Sequence, residues 1–366
     1  MHDFSIVIRY GALDPHGRSG TACTFNTVTR RTELLTAVVI GLVAGGYCAL
    51  TGALRQGGEW LTLRSTGGDF FQTWVMARAL AAGANPYVVG CPTIPPCADS
   101  LQYYPVTAGV AAFPFGFIPA GVATVVFVGL SAGLLAFGIA RSGMWRGPML
   151  LSWPFLVAAG NGQWAPILVA AALLPGLQWL YPVKPQLGLA LWLWRPSWRA
   201  LALSALLIAL SLLVRPAWPL HWWPIARTSS YVKSPVLSFA WFAPVLLLAA
   251  LRWRTPEGRL LLAMAILPQT PFAYDQLVLW LIPRTHREAL NLTWLSWAGF
   301  GAWLLIKFDR HTGIVRLTTW APYVIAFLFL PCLVMVLRHP NISPGDAWPR
   351  SLPETSDAQS LGKNGM

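Results

Sequence analysis

The sequence predicts an all-α, polytopic membrane protein, and three observations carry that prediction. Hydrophobic residues make up 55% of the chain and charged residues only 11%, against about 25% charged in a soluble domain; the mean hydropathy is +0.54. The charges are also segregated. Residues 34–54, 100–140, 147–183, 200–214, 234–251, 260–274, 289–306 and 317–337 contain none, and a spanning helix needs about 20 apolar residues. Twenty Trp and nine Tyr suit the two lipid–water interfaces. These tracts predict roughly 8–11 membrane helices, short broken ones included.

The net charge of +13 follows the same logic. The basic residues cluster in short loops, which is the positive-inside pattern, and no nucleic-acid motif accompanies them, so no nucleic-acid partner is expected. Residues 1–33 are polar and basic without an apolar stretch, which predicts a cytoplasmic N-terminal tail and a first span retained as an anchor. Residues 34–337 form the transmembrane domain. Residues 338–366 read as a polar, disordered cytoplasmic tail.

Span 1, at 34–54, exits to the outside. Loop 55–104 balances Glu59, Asp69 and Asp99 against Arg55, Arg64 and Arg78, which suits an outer loop. Within it, 70–82 is rich in helix formers, with Asp69 at the N-cap position and Gly83 just past the end. Its apolar residues, Phe70, Phe71, Trp74, Val75 and Leu80, predict a helix lying on the membrane. Cys91 and Cys97 bracket a Pro-rich stretch at a spacing compatible with a small disulfide in an oxidising compartment. Cys23, Cys48 and Cys332 are isolated.

A single straight helix over 100–140 would be about twice as long as the bilayer core is thick. Pro114 and Pro119 break it, predicting a short outer piece at 106–117 and span 2 at 119–140. Gly160-Asn161-Gly162-Gln163 divides the next tract into helices at 148–159 and 164–174 that meet at a polar outer turn. Such breaks are tolerated only against protein or a cavity. Spans at 200–214 and 235–251 enclose an outer loop with Arg215, His221, Arg227 and Lys233. A second broken pair, 260–273 and 276–283, meets at Tyr274-Asp275. The last spans are 289–306 and 317–337. Arg141, Arg146, Arg195, Arg199, Arg252, Arg254, Arg259, Arg284 and Arg287 then fall inside.

Ionisable and polar residues within these tracts are the candidate site. Asp69 has a dual reading: a helix N-cap, contributing about 1 kcal/mol, or a general base taking a proton from an attacking hydroxyl. Lys184 is either a snorkelling side chain between prolines or a cation for a phosphate. Asp275 and Tyr274 either break two helices or face the same outer cavity as Asp69. Asn161 and Gln163 make a polar turn or hydrogen-bond a hydroxyl-rich ligand. Arg78, nine residues after Asp69, is an interfacial anchor or a second cation. No Walker A loop, Gly-x-Ser-x-Gly elbow, His-Glu-x-x-His, Cys-x-x-Cys or Asp-x-Asp pair occurs. No cofactor is expected, and a divalent metal is compatible with the sequence but has no motif in its support.

In this order the motifs resemble glycosyltransferase family 87. Gly68-Asp69-Phe70 and Gly83-Ala84-Asn85-Pro86-Tyr87 are similar to its first outer loop. Tyr103-Tyr104-Pro105, Phe113-Pro114, Gly162-Gln163, Lys184-Pro185-Gln186 and Tyr274-Asp275 continue the series, over residues 68–284. That family belongs to the GT-C superfamily of polytopic transferases. The resemblance implies a GT-C-like architecture in the cytoplasmic membrane, a polyprenyl-phosphate sugar donor of mannose or arabinose type, and an extracytoplasmic glycolipid or glycan acceptor. It implies Asp69 as base and Lys184 beside the lipid phosphate, with Gln186 in the same Lys-Pro pattern. The chemistry needs an acceptor deprotonated and a departing phosphate neutralised, across an oxocarbenium-like transition state with inversion. Two other classes share these features: a lipid or sugar transporter or flippase, and a membrane scaffold without turnover.

Overall fold

Helices account for 81% of the computed structural model, and no strand occurs among the residues it describes, which are 30–56, 69–87, 102–228, 233–307 and 317–339. The protein is an all-α polytopic one. Much of loop 55–104, including Cys91 and Cys97, lies outside the described residues, as do residues 1–29, Cys23 among them, and residues 340–366.

The first span is α1 (Arg30–Gln56). After α2 (Phe70–Ala81) come the short α3 (Val106–Ala111) and a 3-10 turn at Phe113–Phe117, as the prolines predict. The next span, α4 (Ala120–Ser142), starts directly after Pro119. Glycines set how α1 and α4 meet. A Cβ on Gly41 would sit 2.7 Å from the Gly129 carbonyl oxygen, and one on Gly133 would sit 2.9 Å from that of Ala37. Gly41-x-x-x-Gly45 therefore faces Gly129-x-x-x-Gly133, the close backbone packing that small residues permit between membrane helices.

The predicted break at 160–163 is present. Helices α5 (Trp153–Gly160) and α6 (Ala165–Leu173) meet at 119°. Ser152 caps α5 through the Phe155 N–H, Pro166 stands in the first turn of α6, and Gly162 takes φ +60. A 3-10 run at Pro175–Val183 then carries the chain back, and α7 (Pro185–Trp194) leaves again.

Helices α8 (Trp198–Val214) and α9 (Trp218–Thr228) follow, bent by 108°. The span expected at 235–251 is not one α-helix. Pro235 and Pro244 divide it into α10 (Pro235–Ser238) and a 3-10 run at Ala243–Arg252. Next come α11 (Pro256–Ile266), a 3-10 segment at Asp275–Leu281, and α12 (His286–Lys307). The last span contains a 3-10 turn at Leu317–Trp320, α13 (Ala321–Val324), a π-helical turn at Ile325–Phe329 and α14 (Leu330–Arg338).

Among the described residues, three helices are long and apolar enough to cross a membrane, and up to five if each bent pair is one span. The larger expected number counted tracts that fold into segments too short to qualify alone. Outward-facing Leu34, Leu42, Leu54, Leu206, Leu213 and Leu251 add apolar surface of the kind a soluble monomer avoids.

The ends of the molecule differ. At one end Arg284 makes a bidentate pair with Glu257 (3.1 and 2.9 Å), Arg259 donates to the Leu193 carbonyl (2.7 Å), and Arg252 donates to that of Leu337 (2.9 Å). At the other, Arg215 donates to the Gly83 carbonyl (2.8 Å), Trp222 to that of Tyr103 (2.9 Å), and His221 meets Asn85 (3.4 Å). Loops expected on the same side thus touch each other.

Candidate functional site

The polar end of the bundle gathers residues from four distant parts of the chain. Phe70 stacks on Phe127 of α4 (centroids 4.1 Å apart), and Trp164 packs on the same ring (4.8 Å). Their sequence neighbours, Asp69 and Gln163, are thereby brought face to face. The Asp69 N–H donates to the Asn161 carbonyl (2.8 Å), tying the start of α2 to the break between α5 and α6.

The Asp69 side chain does not cap α2. Its backbone is helical (φ −72, ψ −22) and it makes no side-chain cap bond. Instead its Oδ2 accepts from the Gln163 amide and from the Tyr274 hydroxyl (3.3 Å). The N-cap reading is corrected: the carboxylate points across to two other segments rather than back onto its own helix. Burial pushes the Asp69 carboxyl above the ordinary aspartate value, opposed first by the Gln163 hydrogen bond, then by the charge of Lys184 and the Tyr274 hydroxyl.

Lys184 and Asp275 form a buried ion pair, Nζ to Oδ1 2.5 Å, with side chains 7% and 0% exposed. Asp275 Oδ2 accepts from the Thr270 hydroxyl (3.0 Å) and N–H (3.3 Å). The ammonium also lies 4.9 Å from the centre of the Tyr274 ring. Both oxygens of the Asp275 carboxylate are thus engaged, as a buried carboxylate requires. It corrects the reading of Lys184 as a snorkelling residue. The 3-10 run at 175–183, not foreseen from the sequence, returns Lys184 to this end.

Tyr274 joins the two pairs, its hydroxyl on Asp69 and its ring face on Lys184. The preceding turn fixes it. The Tyr274 N–H bonds back to the Phe272 carbonyl (2.9 Å), and Ala273 sits between them at φ +65. A left-handed alanine costs about 1–2 kcal/mol, the kind of strain that persists only where surrounding contacts impose it. Alongside, Gln276 donates to Gln269 Oε1 (2.9 Å) and the Thr270 carbonyl (3.3 Å). The side-chain oxygens of Gln163 and Gln276 are buried without a partner.

Of the expected residues, Asp69, Gln163, Tyr274, Lys184 and Asp275 come together. Asn161 joins through its backbone carbonyl, while its amide donates to the Val157 carbonyl (2.8 Å). Arg78 does not join: it lies over Trp74 (5.2 Å) in the last turn of α2. Gln186 is half-exposed in the first turn of α7 and makes no hydrogen bond to the cluster among the described residues. The expectation that α2 lies on the membrane is also corrected. Phe70, Trp74 and Met76 are almost wholly buried in the core.

Thr270 was missed, because a lone threonine five residues before an acid has no distinctive pattern. Tyr104 is buried within electrostatic reach of both acids; its place in Tyr103-Tyr104-Pro105 was the available signal. Among the described residues, no three His, Cys, Asp or Glu side chains gather into a metal-ligating group. Comparison with models of known families, with curated proteins and with solved structures gave no match to this chain.

Proposed function

We propose that the chain is an inverting membrane glycosyltransferase. It moves a sugar of mannose or arabinose type from a polyprenyl-phosphate donor to a glycolipid or glycan acceptor outside the cytoplasm. The observation that carries the reading is a carboxylate held by Gln163 and Tyr274, with a buried ammonium on the far side of the same tyrosine. Asp69 removes the acceptor hydroxyl proton, and the acceptor oxygen bonds to the anomeric carbon. The bond from that carbon to the phosphate breaks, and the phosphate departs with the electron pair. An aspartate raised by burial is a stronger base than an exposed one. Lys184 commits one N–H to Asp275, and an ammonium carries three, so it can also meet the departing phosphate. The partnerless Gln163 oxygen suits a sugar hydroxyl.

The test uses purified full-length protein in nanodiscs with polyprenyl-phosphate mannose and arabinose. Loss of the base should slow transfer about 100-fold to 10,000-fold, so Asp69→Asn should lose nearly all turnover while remaining folded. Full activity in that variant would remove Asp69 as the base. A second reading has one observation in its favour: a buried Lys–Asp pair beside bent helix pairs also suits a carrier. Sealed proteoliposomes that move a lipid-linked sugar without forming a new glycosidic bond would decide for it.

A further inference from the structure

The Tyr104 hydroxyl is a buried polar group of the Asp69 cluster that neither the base nor the leaving phosphate uses. Its backbone is held from several sides. The Tyr104 carbonyl accepts from the Tyr87 hydroxyl (3.0 Å), and the Tyr103 carbonyl accepts from the Trp222 indole (2.9 Å). Pro105 opens α3, and Thr107 in the first turn of that helix donates to the Pro182 carbonyl (2.7 Å), just before Lys184. The Tyr104 side chain is 8% exposed and lies within electrostatic reach of Asp69, Asp275 and the Tyr274 hydroxyl. Its own hydroxyl makes no hydrogen bond among the described residues.

A buried phenol left unpaired destabilises the fold, and one held this firmly is preorganised for a group that enters. Gln163 makes the complementary demand: its amide is committed to Asp69, and its buried oxygen needs a donor. The occupant must therefore both donate and accept. An anion here would meet two carboxylates with only Lys184 to offset them. An acyl chain would leave both groups unpaired. A neutral ring bearing several hydroxyls satisfies them.

In-line inversion places the transferred sugar between the base and the departing phosphate. On the transferase reading the base is Asp69 and the phosphate meets Lys184, the partner of Asp275. A side chain within reach of both acids stands beside the ring between them.

We propose that the Tyr104 hydroxyl hydrogen-bonds a ring hydroxyl of the transferred sugar and so helps set which sugar is accepted. The identity of the ligand rests on the transferase reading; the contact is measured without turnover.

The full-length protein in nanodiscs is tested, without acceptor, for equilibrium binding of radiolabelled polyprenyl-phosphate mannose and arabinose, of monodeoxy analogues of each, and of sugar-free polyprenyl phosphate. The wild type should bind one deoxy analogue about tenfold more weakly than its parent sugar, the effect of one hydrogen bond. Tyr104→Phe should bind the parent sugar about tenfold more weakly and that analogue no worse than the wild type does. Its affinity for the sugar-free carrier should not change. Tyr103→Phe should behave as the wild type. Equal weakening toward every ligand, the sugar-free carrier included, would make Tyr104 a structural residue. Undiminished discrimination in Tyr104→Phe would mean that no sugar hydroxyl rests on it. Either result overturns the proposal, as does a failure to bind both donors. Acceptor is then added. Binding with this discrimination but without transfer would overturn the transferase reading and leave the Tyr104 contact standing.

Discussion

At the scale of single residues, the Asp69 carboxyl is set by competing contacts. Burial raises it, and the Gln163 amide and Tyr274 hydroxyl partly hold it down. Transfer that depends on ionised Asp69 should rise with pH through a limb above the ordinary aspartate range. Tyr274→Phe should move that limb up, and Gln163→Leu further up, because the glutamine opposes burial more strongly. Rate–pH profiles of the three proteins would check the order. For stability the sign is reversed. A carboxyl raised by folding favours the native state at low pH, below its unfolded value, and that contribution is lost as pH rises through the folded value. The ion pair gives a second test. Lys184→Met leaves Asp275 buried and uncompensated and should cost about 3–5 kcal/mol, whereas Lys184→Met with Asp275→Leu should cost much less. Thermal unfolding in detergent measures both. Asp69 and Lys184 were legible because an ionisable group in an apolar tract is conspicuous. Gln163, Tyr274 and Asp275 stood out for the same reason, but which of them pairs with which did not: the Lys184–Asp275 contact spans 91 positions, and no local pattern encodes a pairing at that distance.

Among elements, glycine placement decides two features. Gly41→Ala puts a methyl 2.7 Å from a backbone oxygen of α4 that cannot step aside, and should cost about 1–3 kcal/mol. Gly46→Ala, on the same helix with open space around it, should be close to neutral; comparative unfolding distinguishes the two. At the turn before Tyr274 an alanine stands where glycine is usual. Ala273→Gly relieves the left-handed strain but removes a buried methyl and loosens the unfolded chain, so little net change is expected. Ala273→Val should be strongly destabilising, because a β-branched residue tolerates positive φ poorly. Break positions were readable from Pro114, Pro119 and Gly160-Asn161-Gly162, since these residues act locally. The 3-10 geometry of 175–183 and 243–252 was not. Hydropathy reports that a tract is apolar, while prolines and packing decide whether it coils as an α-helix.

Across the whole molecule, arginines gather at one end and the Asp69 cluster at the other. We propose, on the positive-inside rule, that the arginine end is the cytoplasmic one. With the native cysteines replaced, His221→Cys should react with an impermeant maleimide on intact cells, and Arg287→Cys only after lysis. The reverse pattern would turn the molecule over. The polar cluster also has a history in time. Tyr274 reaches Asp69 across 205 positions of chain. At about 5–20 residues per second, ribosomal elongation separates their emergence by roughly 10–40 seconds. During that interval the nascent chain carries a half-built acid and an unmatched lysine into the translocation machinery. Until Asp275 emerges, water or a chaperone must shelter them. Proteins truncated before residue 275 should therefore be conspicuous prey for membrane proteases.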